Sequence, residues 1–140
     1  RSILFNGNLI GTNNLFTITA TGVSPLIPNA VGMATFPGDT GTVALTGNTF
    51  HITSLNGPVD GIFNFGTNNT YTLNNNTFTL TSNVANTGID NSAGSAGAIT
   101  GSNNSFTLTG SGTNTDGMNV GSFFTNPGNN NTCTANGGPC

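Results

Sequence analysis

The stretch Asn74-Asn75-Asn76-Thr77-Phe78-Thr79-Leu80-Thr81 is one of four full copies of a motif that begins a fifth time near the end of the chain. The other copies are Asn13-Asn14-Leu15-Phe16-Thr17-Ile18-Thr19, Gly47-Asn48-Thr49-Phe50-His51-Ile52-Thr53 and Asn103-Asn104-Ser105-Phe106-Thr107-Leu108-Thr109. The truncated copy, Asn130-Asn131-Thr132-Cys133-Thr134, carries cysteine in the phenylalanine slot. The anchors Phe16, Phe50, Phe78, Phe106 and Cys133 lie 34, 28, 28 and 27 residues apart. A recurring period of this size marks a solenoid or array, in which each unit buries its apolar face only against its neighbours.

Alignment on the phenylalanine exposes further columns. Seven residues earlier stand Leu9, Val43, Tyr71 and Ile99, and two residues earlier stand Asn14, Asn48, Asn76 and Asn104. Downstream, a glycine precedes an apolar residue in Gly32-Met33, Gly61-Ile62, Gly88-Ile89 and Gly117-Met118. The Phe-to-Gly distance is 16 residues in the first copy and 11, 10 and 11 in the others. The excess falls in residues 22–29, where Pro25 and Pro28 predict a corner loop and exclude a central strand. Repeats then run over about 7–40, 41–68, 69–96 and 97–124, with 125–140 as a C-terminal cap.

Helix is excluded by the abundance of Gly, Asn and Thr and by the lack of a sustained 3.6-residue apolar stripe. Short alternating runs of Thr, Phe, Ile and Val between Asn and Gly predict about three strands per repeat. The expected fold class is all-β: a β-solenoid of about four to five coils. Alternation points Phe16, Phe50, Phe78 and Phe106 inward, with Ile18, Ile52, Leu80 and Leu108 beside them. Stacked coils would turn these into an aromatic and an aliphatic ladder, each buried side chain contributing about 1.5–3 kcal/mol. The asparagine column belongs at a corner, because Asn tolerates left-handed backbone and can stack its amides between coils. An antiparallel β-sandwich or jelly roll, with a hairpin at each Asn/Gly pair, is the alternative architecture.

Composition narrows function by exclusion. Only Arg1, Asp39, Asp60, Asp90 and Asp116 are charged among 140 residues. Phosphate binding needs clustered Lys and Arg, so nucleic acid is not an expected partner; a basic membrane-surface face is missing too. No apolar run has the length of a spanning helix, and no charged-then-apolar leader opens the sequence, which predicts a mature or a cytosolic chain. Two cysteines and one histidine, His51, do not compose a zinc site. A Cys133–Cys140 disulfide is the better reading, and it implies an extracellular or cell-surface setting. It would close the last copy as a cap, for which the N-terminal Ile3-Leu4-Phe5 offers no polar counterpart.

Outward positions of the motif strand are Leu15, Thr17, Thr19, Thr49, His51, Thr53, Thr77, Thr79, Thr81, Ser105, Thr107 and Thr109. Thr is at home on any exposed strand, yet a repeated Thr-x-Thr face resembles that of β-solenoid antifreeze proteins. The resemblance covers one strand per coil and implies an ice or contact face of Thr17, Thr19, Thr53, Thr79, Thr81, Thr107 and Thr109. It departs from the pattern at Leu15 and His51. The chain as a whole resembles, at the level of class, the parallel β-helix repeat proteins of cell surfaces.

Asp60 and Asp116 directly precede Gly61 and Gly117, and Asp90 follows Gly88 by two residues. Solenoid enzymes acting on pectin-like polymers gather acids on one face, but Asp60 and Asp116 would stand two coils apart, about 10 Å. No enzyme, cofactor or metal is therefore expected. Four Asn-x-Ser/Thr sequons, at Asn68, Asn75, Asn103 and Asn130, are candidate N-glycosylation sites. The expected function is an extracellular structural subunit of a surface filament, sheath or adhesive appendage, self-assembling head-to-tail through strand edges. Ice binding is the alternative. A carbohydrate-binding adhesin, with glycans stacked on Tyr71 and surface Phe side chains, is a weaker third.

Overall fold

The structure, a computed structural model, describes residues 3–4, 7–23, 28–66, 68–91, 99–118 and 120–140, with Ile3, Leu4 and Met118 described by backbone alone. After β1 (Ile3–Leu4) the chain winds through four coils of three strands each. These are β2 (Leu9–Thr12), β3 (Leu15–Ala20) and β4 (Ala30–Thr35); β5 (Thr40–Thr46), β6 (Thr49–Ser54) and β7 (Val59–Asn64); β8 (Asn68–Asn74), β9 (Thr77–Ser82) and β10 (Ala85–Asp90); and β11 (Ile99–Ser102), β12 (Ser105–Thr109) and β13 (Thr113–Met118). A short 3₁₀ turn over Pro127–Asn129 leads into β14 (Thr132–Ala135) and β15 (Gly138–Pro139).

Each strand pairs in parallel with its counterpart one coil away. Sheet I has the order β1-β4-β7-β10-β13, sheet II β11-β8-β5-β2 and sheet III β15-β14-β12-β9-β6-β3. The pairing β14–β15 is the one antiparallel contact between the described strands. The molecule is thus a three-sided β-solenoid, and the sandwich is ruled out.

Alternation along sheets II and III decides the core. Phe16, Phe50, Phe78 and Phe106 share one register column, with Cys133 following Phe106. Their rings stack at 4.7, 4.6 and 4.5 Å between successive centroids, and the last two pairs are tilted by only 4°. Ile18, Ile52, Leu80 and Leu108 form the neighbouring column. Sheet II adds Val43, Leu45, Tyr71 and Leu73, all buried.

The glycine column explains how sheet I closes onto this ladder. A side chain at Gly61 would place its Cβ 2.5 Å from the Gly88 carbonyl oxygen and 3.3 Å from the Phe78 and Phe106 rings. Only glycine lets the strand approach the rings this closely. The predicted column fails at its last member: Gly32, Gly61 and Gly88 are aligned, but Gly117 pairs with Ile89, so Asp116 stands beside Gly88. The corner is equally long in the third and fourth coils: Asn86 and Asn114 both follow their phenylalanines by eight residues and pair in register, with Asn86 Nδ2 donating to Asn114 Oδ1 at 2.7 Å. Gly117 itself comes one residue late, 11 after Phe106 where Gly88 is 10 after Phe78.

The first-copy insertion does lie at a corner, in the connection from Ala20 to Ala30, the longest of the four turns from sheet III to sheet I. Its residues 24–27, like Arg1 and Phe5, fall outside the described residues.

The two ends of the stack differ. At the C-terminal end Phe123 is buried and Phe124 packs edge-on against Phe106, with centroids 5.2 Å apart. The Cys133–Cys140 disulfide ties β15 back over β14, with Cα atoms 5.5 Å apart. Pro139 on this edge has no N–H to offer a further strand. At the other end β2 and β3 are the last strands of their sheets, and Leu9, Phe16 and Ile18 are only half-buried.

Candidate functional site

Sheet III presents a long regular outer surface. Its outward residues fall into three register columns: Leu15, Thr49, Thr77, Ser105 and Thr132; Thr17, His51, Thr79, Thr107 and Thr134; and Thr19, Thr53, Thr81 and Thr109. Threonine holds eleven of these fourteen places. Every one of the fourteen side chains is exposed or half-buried. Parallel pairing sets neighbours about 4.8 Å apart across strands and about 6.6 Å apart along them. The result is a flat grid of methyl and hydroxyl groups with no carboxylate or ammonium on it. The interruptions are Leu15 at the rim of the first coil and His51 on the second.

The corner beside this face is built by paired asparagines. Asn13, Asn75, Asn103 and Asn130 have φ of 55°, 55°, 57° and 54°, and Gly47 takes the same role in the second coil at φ 67°. The left-handed residue is therefore the one before the expected column. The column itself, Asn14, Asn48, Asn76, Asn104 and then Asn131, turns inward from the corner and forms an amide ladder. Each Nδ2 donates to the Oδ1 of the next coil, at 3.0, 3.1, 3.0 and 2.9 Å. The same Oδ1 atoms also accept the backbone N–H of the coil above, at 2.9 Å in each step.

Three of the sequon asparagines, Asn75, Asn103 and Asn130, thus stand exposed in one column, and Asn68 is exposed at the start of β8. Asn130 Nδ2 donates to Asn103 Oδ1 at 3.0 Å.

The carboxylates do not converge on the threonine face. Asp60 lies on sheet I, 3% exposed, in register with Val31 and Thr87. Burial, reinforced by the nearby Asp90 carboxylate, pushes its pKa up to about 7 against the pull of a Thr87 hydrogen bond. Its Oδ2 is buried without a hydrogen-bond partner. Asp116 uses Oδ1 to accept the Gly117 N–H at 2.8 Å, and Asp39 accepts the Phe36 N–H at 2.7 Å. Among the described residues no three His, Cys, Asp or Glu side chains gather as a metal site, and no helix is long and apolar enough to cross a membrane.

Tyr71 is no stacking platform. It is fully buried, its hydroxyl 3.0 Å from Thr35 Oγ1, and burial raises its pKa to about 12. Thr35 donates to Asn64 and Asn64 to Asn91, a second inter-coil polar chain at the end of sheet I. The local run Tyr71-Thr72-Leu73 does not distinguish a core tyrosine from a surface one; the column Tyr71 shares with Val43 and Ile99 carries that signal. Among the described residues the exposed phenylalanine is Phe65, stacked on Phe63 with centroids 5.6 Å apart.

Comparison with protein-family models, curated proteins and solved structures finds no match for this chain.

Proposed function

We propose that this protein is an extracellular structural module: a rigid, nearly uncharged β-solenoid segment of a surface filament, sheath or adhesive appendage. One observation carries the reading. Every coil is tied to the next by the same three devices, namely parallel pairing on three sheets, a phenylalanine stack and the asparagine ladder. Side chains are spent on stacking and little is left for chemistry. The disulfide supports an oxidising setting. Exposed sequons at Asn68, Asn75, Asn103 and Asn130 suit such a setting and would carry glycans in a host that glycosylates. Mechanical shearing of intact producing cells tests the reading: the protein should leave with the surface material, and recovery only from the cell lysate would contradict it.

A second reading, ice binding, is supported by the threonine grid of sheet III, which continues through all five parallel strands of that sheet. Thermal hysteresis of the purified protein tests it; freezing behaviour equal to that of an inert protein would dismiss it.

A further inference from the structure

Among the described residues, three buried side-chain atoms have no hydrogen-bond partner: Asp60 Oδ2, Asn86 Oδ1 and Thr115 Oγ1. All three lie in sheet I, on the successive strands β7, β10 and β13. Asp60, Thr87 and Thr115 share one register column, and Asn86 directly precedes Thr87. Asn86 begins a ladder with Asn114, but its register partner one coil earlier is Val59, whose side chain has no N–H to give its Oδ1. At the corner of sheets II and III, by contrast, the Oδ1 atoms of Asn76 and Asn104 each accept two hydrogen bonds. Of the three walls, sheet I leaves buried polarity least satisfied among the described residues.

Asp60 is the ionisable member of this group, and it is 3% exposed. No counter-charge faces it from the described strands packed against it. Strands β4 and β9 carry no titratable side chain; β10 brings Asp90, and β13 beyond it brings Asp116, both acids. Strand β6 brings His51, which is exposed on the outer side of sheet III. Asp39 sits at the corner after β4, accepting the Phe36 N–H, and Arg1 lies outside the described residues. A carboxyl buried in such a place keeps its proton, because an unpaired buried charge costs far more than a neutral acid.

We propose that sheet I is a proton-operated clasp: Asp60 holds a proton while β7 and β10 are paired, and releasing it lets this pair part locally, ahead of sheets II and III. Parting hydrates the orphaned Asn86 and Thr115 atoms together with the carboxylate, so opening is easiest at this wall. Burial first, then the Asp90 carboxylate, raises the Asp60 pKa from 3.8 to about 7 in the closed wall, against the pull of a Thr87 hydrogen bond. An opened wall returns it to the ordinary value. The closed wall is therefore fully favoured below pH ~4. Opening then grows about tenfold per pH unit and levels off above pH ~7, roughly a thousandfold in all. The device goes beyond the structural reading and does not depend on where the module acts. The solenoid is stiffest in acid and yields first at one wall as pH rises.

Amide hydrogen exchange of the full chain between about pH 4 and about pH 8, corrected for the intrinsic pH dependence of exchange, reads the opening of each strand. At every pH, β7 and β10 should exchange roughly tenfold or more faster than β6 and β9. Opening of β7 and β10 should rise about a thousandfold between pH ~4 and pH ~7 and then level off. Asp60→Asn, neutral at every pH, should abolish this rise. Asp90→Asn, which removes the neighbouring carboxylate and leaves the burial of Asp60 in place, should keep the rise but end it at lower pH. Equal exchange in all three sheets would show that the wall parts only with the whole fold, and would overturn the clasp. A rise that survives Asp60→Asn would overturn the part given to Asp60.

Discussion

Asn76 stands directly over Asn104: its Nδ2 and its backbone N–H both donate to Asn104 Oδ1, at 3.0 and 2.9 Å. Asn76 in turn offers its own Oδ1 to Asn48 in the same two ways and donates to the Leu45 carbonyl at 2.8 Å. Asn76→Ala would remove the acceptor of the buried Asn48 backbone N–H and one donor to the Leu45 carbonyl, while the Asn48 amide would keep the Gly11 and Thr46 carbonyls. A buried orphan costs about 1–3 kcal/mol, so Asn76→Ala should destabilise by on the order of 3 kcal/mol. Asn14→Ala, at the exposed first coil, should cost about 1 kcal/mol. Denaturant unfolding of the two variants reads the difference, and equal losses would contradict the ladder.

Gly61→Ala tests the packing of sheet I on the phenylalanine stack. The added Cβ meets a backbone oxygen at 2.5 Å, which cannot move without breaking the β7–β10 pairing. Overpacking of this kind costs about 1–3 kcal/mol or more. Phe78→Ala, which opens a cavity between two stacked rings, should cost about 3–5 kcal/mol. Thermal unfolding should rank both well below the wild type.

Asp60 makes stability fall as pH rises. Its folded pKa of about 7 lies above the ordinary value of 3.8, so the folded state holds a proton that the unfolded chain releases. The favourable contribution is complete below pH ~4 and is lost progressively as pH climbs through ~7. At about 1.4 kcal/mol per pKa unit, the loss amounts to roughly 4 kcal/mol. Asp60→Asn should remove most of this slope and stabilise the protein at pH 8. A variant with an unchanged pH profile from 4 to 8 would show that the slope has another source.

Removal of the disulfide should act locally. By chain entropy a loop this short contributes about 2–3 kcal/mol. Cys133→Ser with Cys140→Ser should therefore release β15 and speed amide exchange in β14, while exchange in β6 and β9 stays slow. Uniform acceleration across the stack would mean that the cap controls the whole fold.

On the threonine face, Thr79 and Thr107 occupy adjacent coils of the central column. Replacing both by Tyr should change stability by less than about 1 kcal/mol, since both point outward. If the face orders water, the same substitution abolishes thermal hysteresis. Hysteresis that survives it would remove this face from the ice-binding reading.

Much of this structure is legible in the sequence. The phenylalanine period predicted the stack, and the cysteine in the Phe slot marked where it ends. The asparagine column predicted a ladder, but not which of two adjacent asparagines turns the corner: both residue types suit left-handed backbone, and only register places Asn75 there and sends Asn76 inward. Gly117 illustrates a second limit. Motif spacing cannot tell a longer corner from a displaced glycine: the same Phe-to-Gly spacing of 11 keeps Gly61 in the column but leaves Gly117 out of it, with Asp116 in its slot. Burial of Asp60 was hidden for a related reason. Strands β4 and β7 are buried on both faces, and such strands lose the alternation that identifies inward positions.

The claim that function resides in an extracellular stack is tested most directly by immunogold electron microscopy of the cells that make the protein, using an antibody to the folded domain. Gold particles should decorate surface filaments or sheath on unpermeabilised cells. Label that appears only after permeabilisation, inside the cytoplasm, would contradict it.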